Sequence, residues 1–162
     1  MEKKKIIGIM GPGEGATFSD KETATKVGKL LAKQEYIVLT GGRASGVMEA
    51  AMKGAKSAGG TTIGVLPSED GTGQSEYVDI LIKTGMGHAR NIINVLTSDV
   101  VVGIGTGPGT TSEIALAIKT GKPIILLNQT SESINFFQKF NFSELHQAKS
   151  IEEALQLIKS VI

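Results

Sequence analysis

Short apolar runs alternate with stretches of helical period along the whole chain. Lys5 to Ile9, Tyr36 to Thr40, Thr61 to Leu66, Val78 to Ile82, Val100 to Ile104 and Pro123 to Leu127 are largely apolar, the pattern of strands buried on both faces. Between them, Ala24, Val27, Leu30 and Leu31 share one helical face, as do Met48, Ala51, Met52 and Ala55. The same spacing joins Ala89, Ile92, Ile93 and Leu96, and then Ile114, Ala117 and Ile118. A final helix carries Ile151, Ala154, Leu155 and Ile158 on one face, opened by Ser150 with Glu153 as a capping box. Strands alternating with helices predict an α/β fold: a doubly wound, mainly parallel, Rossmann-like sheet with helices on both faces. No repeat or linker divides it, so residues 1–162 are read as a single nucleotide- or cofactor-binding domain. Such sheets bind ligands at the carboxyl ends of their strands, which directs attention to the turns there.

Composition removes several classes of function. Lys+Arg 17 against Asp+Glu 16 leave a formal charge of +1 over 162 residues, with no charge block. Neither nucleic acid nor a membrane surface is expected as partner. The start, Met1-Glu2-Lys3-Lys4-Lys5, is followed by too few apolar residues before Gly8 for a signal-peptide core, and a cytoplasmic setting is expected. Without cysteine there is no disulfide and no thiolate nucleophile, and with only 2 histidines no metal site is expected.

The glycines are concentrated where the ligand should be. Gly11-Pro12-Gly13-Glu14-Gly15 follows the first strand, Gly41-Gly42-Arg43-Ala44-Ser45-Gly46 the second, and Gly103-Ile104-Gly105-Thr106-Gly107-Pro108-Gly109-Thr110 the fifth. Glycine lets main-chain N–H groups approach a ligand closely, and the following helix adds unpaired N–H groups and a positive dipole end. Such turns suit phosphate or another oxyanion. No Gly-Lys-Ser/Thr occurs, so the P-loop motif is absent. Gly11-x-Gly13-x-x-Ala16 fits the dinucleotide fingerprint loosely, but Thr40-Gly41-Gly42 stands where the acidic ribose ligand belongs, and NAD is not expected.

Of the 17 basic residues only Arg43 and Arg90 are arginine, and both fall at or just before a predicted helix start. A cation there opposes the helix dipole by ~0.3–1 kcal/mol. An anion held jointly by guanidinium and helix N–H groups reverses the sign, and the planar fork suits oxyanions; solvation or a nearby carboxylate is the alternative. Thr110-Thr111-Ser112-Glu113 fits a capping box, and Glu113 is also placed to bind a ligand hydroxyl or amine, or to act as general acid or base. His88, near Arg90, is a loop residue within reach of a ligand. Pro67 to Tyr77 is either a lid or a long surface loop, and Phe136, Phe137, Phe140 and Phe142 form a satellite core or subunit contact.

Gly41-Gly42 followed by Gly46-Val47-Met48, then Arg90 at a helix start, Gly109-Thr110-x-x-Glu113, and Gly121-Lys122-Pro123 leading into a strand form an ordered set over about residues 5 to 128. This set resembles the superfamily of small Rossmann-like proteins labelled "possible lysine decarboxylase". One branch, the cytokinin-activating phosphoribohydrolases, cleaves the N-glycosidic bond of nucleoside 5′-monophosphates, with an Arg-Lys pair and Pro-Gly-Gly-x-Gly-Thr-x-x-Glu. The present chain departs from that pattern with Arg90-Asn91 and Gly107-Pro108-Gly109-Thr110-Thr111-Ser112-Glu113. It is more similar to the molybdenum cofactor carrier proteins, which have an Arg-Asn pair and Gly-Thr-x-x-Glu-Ile; here these are Arg90-Asn91 and Glu113-Ile114.

That resemblance implies a carrier that stores and protects the phosphate-bearing pyranopterin without transforming it. It also implies a homo-oligomer, dimer or tetramer, and exchange with enzymes that make or use the cofactor. No catalytic residue is then expected, whereas the hydrolase alternative would use Arg90 and Glu113. The expected binding residues are Gly11, Gly13, Gly41, Gly42, Arg43, Arg90, Asn91, Gly105, Thr106, Gly107, Gly109, Thr110, Thr111 and Glu113, with phosphate at the turn Gly105 to Thr111. Pyridoxal phosphate is not expected, because no lysine lies in the glycine turns.

Overall fold

The computed structural model describes residues 3–162. Met1 and Glu2, the start of the charged N-terminal run, lie outside the described residues. The chain alternates β1 (Ile6–Met10), α1 (Phe18–Lys33), β2 (Ile37–Thr40), α2 (Gly46–Ser57), β3 (Thr62–Leu66) and β4 (Ile80–Lys83). A 3₁₀ turn (Gly87–Arg90) leads into α3 (Asn91–Thr97). There follow β5 (Val100–Ile104), α4 (Pro108–Thr120), β6 (Ile124–Leu127), α5 (Ser131–Gln138), β7 (Leu145–Gln147) and α6 (Ile151–Val161). One sheet runs β4-β3-β2-β1-β5-β6-β7, with all its strand pairs parallel. The chain winds outward from β1 to one edge and then returns to β5 on the other side of β1. This creates a switch point between the carboxyl ends of β1 and β5, the crevice expected of a doubly wound sheet.

The core explains why the apolar runs are continuous. Ile7, Ile9, Val100, Val102 and Ile125 pack with Val27, Leu31 and Ala51 on one side of the sheet. Met10, Leu39, Val101, Ile124 and Leu126 pack with Val95, Ile114 and Phe137 on the other. Complete burial of each such side chain contributes ~1.5–3 kcal/mol before the entropy of ordering is charged against it. On the first side α1 and α2 lie close together because Gly28 and Gly54 face them: a Cβ on either would stand 2.0 Å from a main-chain oxygen of the neighbouring helix.

Four features differ from the sequence reading. β4 lies at the sheet edge rather than buried, with Ile80 48% exposed, since strands cover it on one side only. β7 and α5 went unread: β7 has only three residues, and α5 lies within the phenylalanine cluster. Of that cluster Phe137 enters the core, while Phe136 and Phe140 stay outside, stacked edge to face. The helix of Ala89, Ile92, Ile93 and Leu96 is rotated from its predicted face: Asn91, Asn94 and Val95 point inward and Leu96 is 54% exposed. Finally, the capping box of α6 is shifted. Ser150 accepts from the Glu153 N–H, but the Glu153 carboxylate accepts from Lys149, one residue before the cap.

Among the described residues no helix is long and apolar enough to cross a membrane, and no group of histidine and carboxylate side chains is placed to hold a metal ion.

Candidate functional site

The three glycine-rich turns meet at the switch point and line one cavity of about 690 Å³. The β1–α1 turn supplies Gly11 to Gly15, the β2–α2 region supplies Gly41, Arg43 and Met48, and the β5–α4 turn supplies Thr106 to Thr110 with Ser112 and Glu113. The 3₁₀ turn and the start of α3 add His88, Arg90 and Asn91 from the side. Of the residues expected from sequence, Gly11, Gly13, Gly41, Arg43, Arg90, Asn91, Thr106, Gly107, Gly109, Thr110 and Glu113 are therefore brought together.

Gly42, Gly105 and Thr111 are not among the lining residues, and the causes are local. Gly42 packs against the backbone of Gly64. Gly105 turns with φ +71° against the Asp20 carboxylate. Thr111 follows the first turn of α4, its N–H returned to the Gly107 carbonyl. Conversely, Met10, Met48, Pro12 and Pro108 line the cavity without having been singled out. Helical spacing along α2 marks Met48 as core, and Met10 lies one residue past the predicted strand Lys5 to Ile9, so the second role of the two methionines had no separate signal.

The helix starts around this cavity are not equivalent. The N-terminus of α1 is neutralised within the chain: Thr17 and Asp20 form a capping box, placing a carboxylate at the positive end. At α2, Glu49 sits in the first turn and the Val47 N–H already donates to the Pro12 carbonyl. At α4 the N-cap is Gly107, with no side-chain cap and no acid in the first turn. Pro108 lacks an N–H, so the Gly109 and Thr110 amides are unpaired donors by helix geometry. The Thr110 hydroxyl, buried in the cavity wall, has no hydrogen-bond partner among the described residues.

This start corrects the role given to Glu113. Because α4 begins at Pro108, Glu113 lies well inside the helix and cannot close a capping box with Thr110. Its Oε1 instead accepts from Asn94 Nδ2 at 2.8 Å. Burial pushes its carboxyl pKa up to about 7, against the opposing pull of the Asn94 hydrogen bond and the Arg90 charge.

Arg90 is 8% exposed and held by neutral acceptors. Its Nε donates to the Val65 carbonyl at 2.8 Å, Nη2 to the Gly41 carbonyl at 3.4 Å, and Nη1 to Asn91 Oδ1. Gly41 is glycine because a Cβ there would stand 2.5 Å from Nη2. Asn91 also donates to Ser112 Oγ at 2.9 Å, and Ser112 Oγ donates to the Gly109 carbonyl at 2.7 Å, tying the guanidinium to the first turn of α4. No carboxylate lies within ion-pair distance of Arg90 among the described residues, and burial lowers its pKa. A buried cation held only by dipoles raises the local potential of the cavity and favours an anion there. Arg43, exposed at the rim, adds a second positive charge.

The segment Pro67 to Tyr77 is fastened rather than free. The Ala44 N–H donates to the Gly73 carbonyl and the Ser75 N–H to the Gly42 carbonyl, so the segment props the Arg43 turn. None of its residues lines the cavity.

The fold and the cavity define a Rossmann-like α/β protein with a crevice at the switch point of its sheet. The chain belongs to the SLOG cluster4 family, which it matches over residues 4–155. Its fold matches the molybdenum cofactor binding protein of the phototrophic bacterium Rippkaea orientalis with a TM-score of 0.97 at 50% identity, covering 99% of each chain. The Moco carrier protein of Chlamydomonas reinhardtii matches with a TM-score of 0.93 at 48% identity, covering 98% of each chain. A rice (Oryza sativa subsp. japonica) protein named "Probable cytokinin riboside 5'-monophosphate phosphoribohydrolase" is 27% identical over 135 residues, 77% of this chain and 59% of that one. The superfamily resemblance read from the motifs is thus borne out, and the carrier proteins are the far stronger match.

Proposed function

We propose that this protein is a cytoplasmic, non-catalytic carrier of molybdenum cofactor, holding the phosphate-bearing pyranopterin at the switch-point cavity. The observation that carries the reading is the amino end of α4: uncapped, free of acidic residues in its first turn, with a buried and unpartnered Thr110 hydroxyl beside it. Of the three helix starts that follow the glycine-rich turns it is the one whose positive end and first-turn donors remain available to an oxyanion. Arg90 and Arg43 add charge for the anionic ends of the cargo. Met10, Met48, Pro12 and Pro108 give apolar walls suited to a flat ring. Identity near one half over essentially the full length to a cofactor-binding protein and a carrier protein supports pterin cargo over other phosphorylated ligands.

The cargo carries its own dithiolene ligation, so a cavity without cysteine suffices for it. Enzymes that make or use the cofactor are then the donors and acceptors. The carrier assembles as a homo-oligomer, for which the outward apolar face of α3 is suited.

The test is co-elution of the protein with isolated molybdenum cofactor. The parent retains it, whereas Thr110→Ala and Arg90→Ala fold normally and lose it; equal retention by both variants overturns the assignment. A second reading, a nucleoside-monophosphate phosphoribohydrolase, draws on Arg90 and Glu113 sharing the cavity and on the rice relative. It requires release of free base at an enzyme-like rate, roughly 1 s⁻¹ or more, abolished by Glu113→Ala.

A further inference from the structure

Glu113 is a carboxyl group where the cavity calls for donors. Its side chain is 6% exposed, and Oε1 is occupied by Asn94 Nδ2. Oε2 receives no hydrogen bond from the described residues, and the residue lines the cavity together with the uncapped start of α4. The other charged or titratable groups around the cavity are the buried Arg90 and exposed His88 from the 3₁₀ turn, exposed Arg43 from the β2–α2 turn, and exposed Glu14 from the β1–α1 turn. None pairs with Glu113 at ion-pair distance. An ionised Glu113 would confront any anion at α4 with a like charge in a partly desolvated site, whereas a neutral acid offers it an O–H donor.

We propose that Glu113 meets the bound oxyanion as a neutral carboxylic acid, Oε2–H donating to an oxygen of the anion while Oε1 accepts from Asn94, so that anion and proton are held together. This rests on the oxyanion reading above, and it goes further by making the site a receptor for one anion plus one proton. The raised pKa of Glu113 agrees with it, and an anion alongside raises that pKa again. A hydrolase using Glu113 as a base needs the opposite protonation state, so the proposal also separates a holding site from a cleaving one.

Sulfate is the probe, because it accepts hydrogen bonds and keeps its charge near neutrality; its binding is measured by calorimetry between about pH 6 and about pH 9. In the parent, affinity should fall roughly tenfold per pH unit once the pH exceeds the carboxyl pKa of the free protein, about 7, and level off only above the higher pKa of the complex. Near pH 8, repeating the titration in buffers of different ionisation enthalpy should show proton uptake on binding. Glu113→Gln keeps the acceptor for Asn94 and places an amide N–H where the acid O–H stands, so its affinity should match the parent's acidic limit and lose that decline. The decline should persist in His88→Gln, which removes the imidazole that lines the cavity.

The proposal is overturned by any of four results: no sulfate binding, a parent affinity that does not vary with pH, binding without proton uptake, or a decline that survives in Glu113→Gln. The buffer comparison uses the parent alone and stands even if a variant fails to fold. Sulfate linkage with no retention of molybdenum cofactor would instead sink the carrier reading and leave this one standing.

Discussion

Asn94 on α3 donates to Glu113 on α4 across 2.8 Å, a buried amide-to-carboxyl contact that fixes one wall of the cavity. It also sets the rotation of α3, since Asn91 and Asn94 must face inward to reach Ser112 and Glu113. Asn94→Asp replaces this donor with an acceptor. When both acids are ionised the pair repels, and a loss of about 2 kcal/mol is expected at pH 8. Near pH 5 a shared proton restores the contact and most of the loss disappears. Urea denaturation at the two pH values checks this; equal losses at both would contradict it.

Glu113 also makes the stability of the protein depend on pH. Its pKa is raised from 4.5 to about 7 on folding, so between those values the native state holds a proton that the unfolded chain has released. Raising the pH through this window therefore favours unfolding, and the contribution lost by neutrality is about 3 kcal/mol. Below the window the group is protonated in both states and has no effect. Glu113→Gln should flatten this part of the profile and be more stable than the parent at pH 8, as read from denaturation midpoints.

The Thr110 hydroxyl gives a prediction in which stability and binding move in opposite directions. It is 1% exposed and has no hydrogen-bond partner among the described residues, a state that costs about 1–3 kcal/mol. Thr110→Val keeps the shape and β-branching while removing that cost, so the empty variant should be more stable by about 1 kcal/mol. Sulfate binding should weaken about tenfold, the size of one lost hydrogen bond. If the variant binds as tightly as the parent, the hydroxyl does not face the anion.

Much of this was legible in the chain because strand periodicity and glycine placement act locally. β5 (Val100–Ile104) has the predicted bounds, and the three glycine turns converge because the alternation of strands and helices puts them at one edge of the sheet. The role of Glu113 was not legible: Thr110-x-x-Glu113 has capping-box spacing, and only the three-residue earlier N-cap, Gly107 instead of Thr110, moves the carboxylate off the cap. The face of α3 was misread for a different reason. Ile92, Ile93 and Leu96 have the periodicity of a buried stripe, but Asn91 and Asn94 find their partners on α4, a long-range pairing that overrides local hydrophobicity. Asp20 likewise has an ordinary helix-start position, and nothing in its sequence neighbourhood tells that it closes the α1 end to a ligand.

The rotation of α3 leaves a consequence on the outside. Ala89, Ile92 and Leu116 line an apolar groove of about 550 Å³ between α3 and α4, with Leu96, 54% exposed, further along the same helix. The groove shares His88, Asn91 and Ser112 with the switch-point cavity, so a subunit seated there would lie beside that cavity. Paired Ile92→Asp and Leu96→Asp substitutions should change the fold stability of an isolated subunit by only about 0.5 kcal/mol each if the face is free. In an assembly they bury two charges against apolar surface, at a cost large enough to dissociate it. Sedimentation should show the parent as a multiple of 17.0 kDa and the double variant as the 17.0 kDa subunit with unchanged helix content. A parent that sediments as a single subunit at micromolar concentration would exclude this face as an interface, and with it the oligomeric part of the carrier reading.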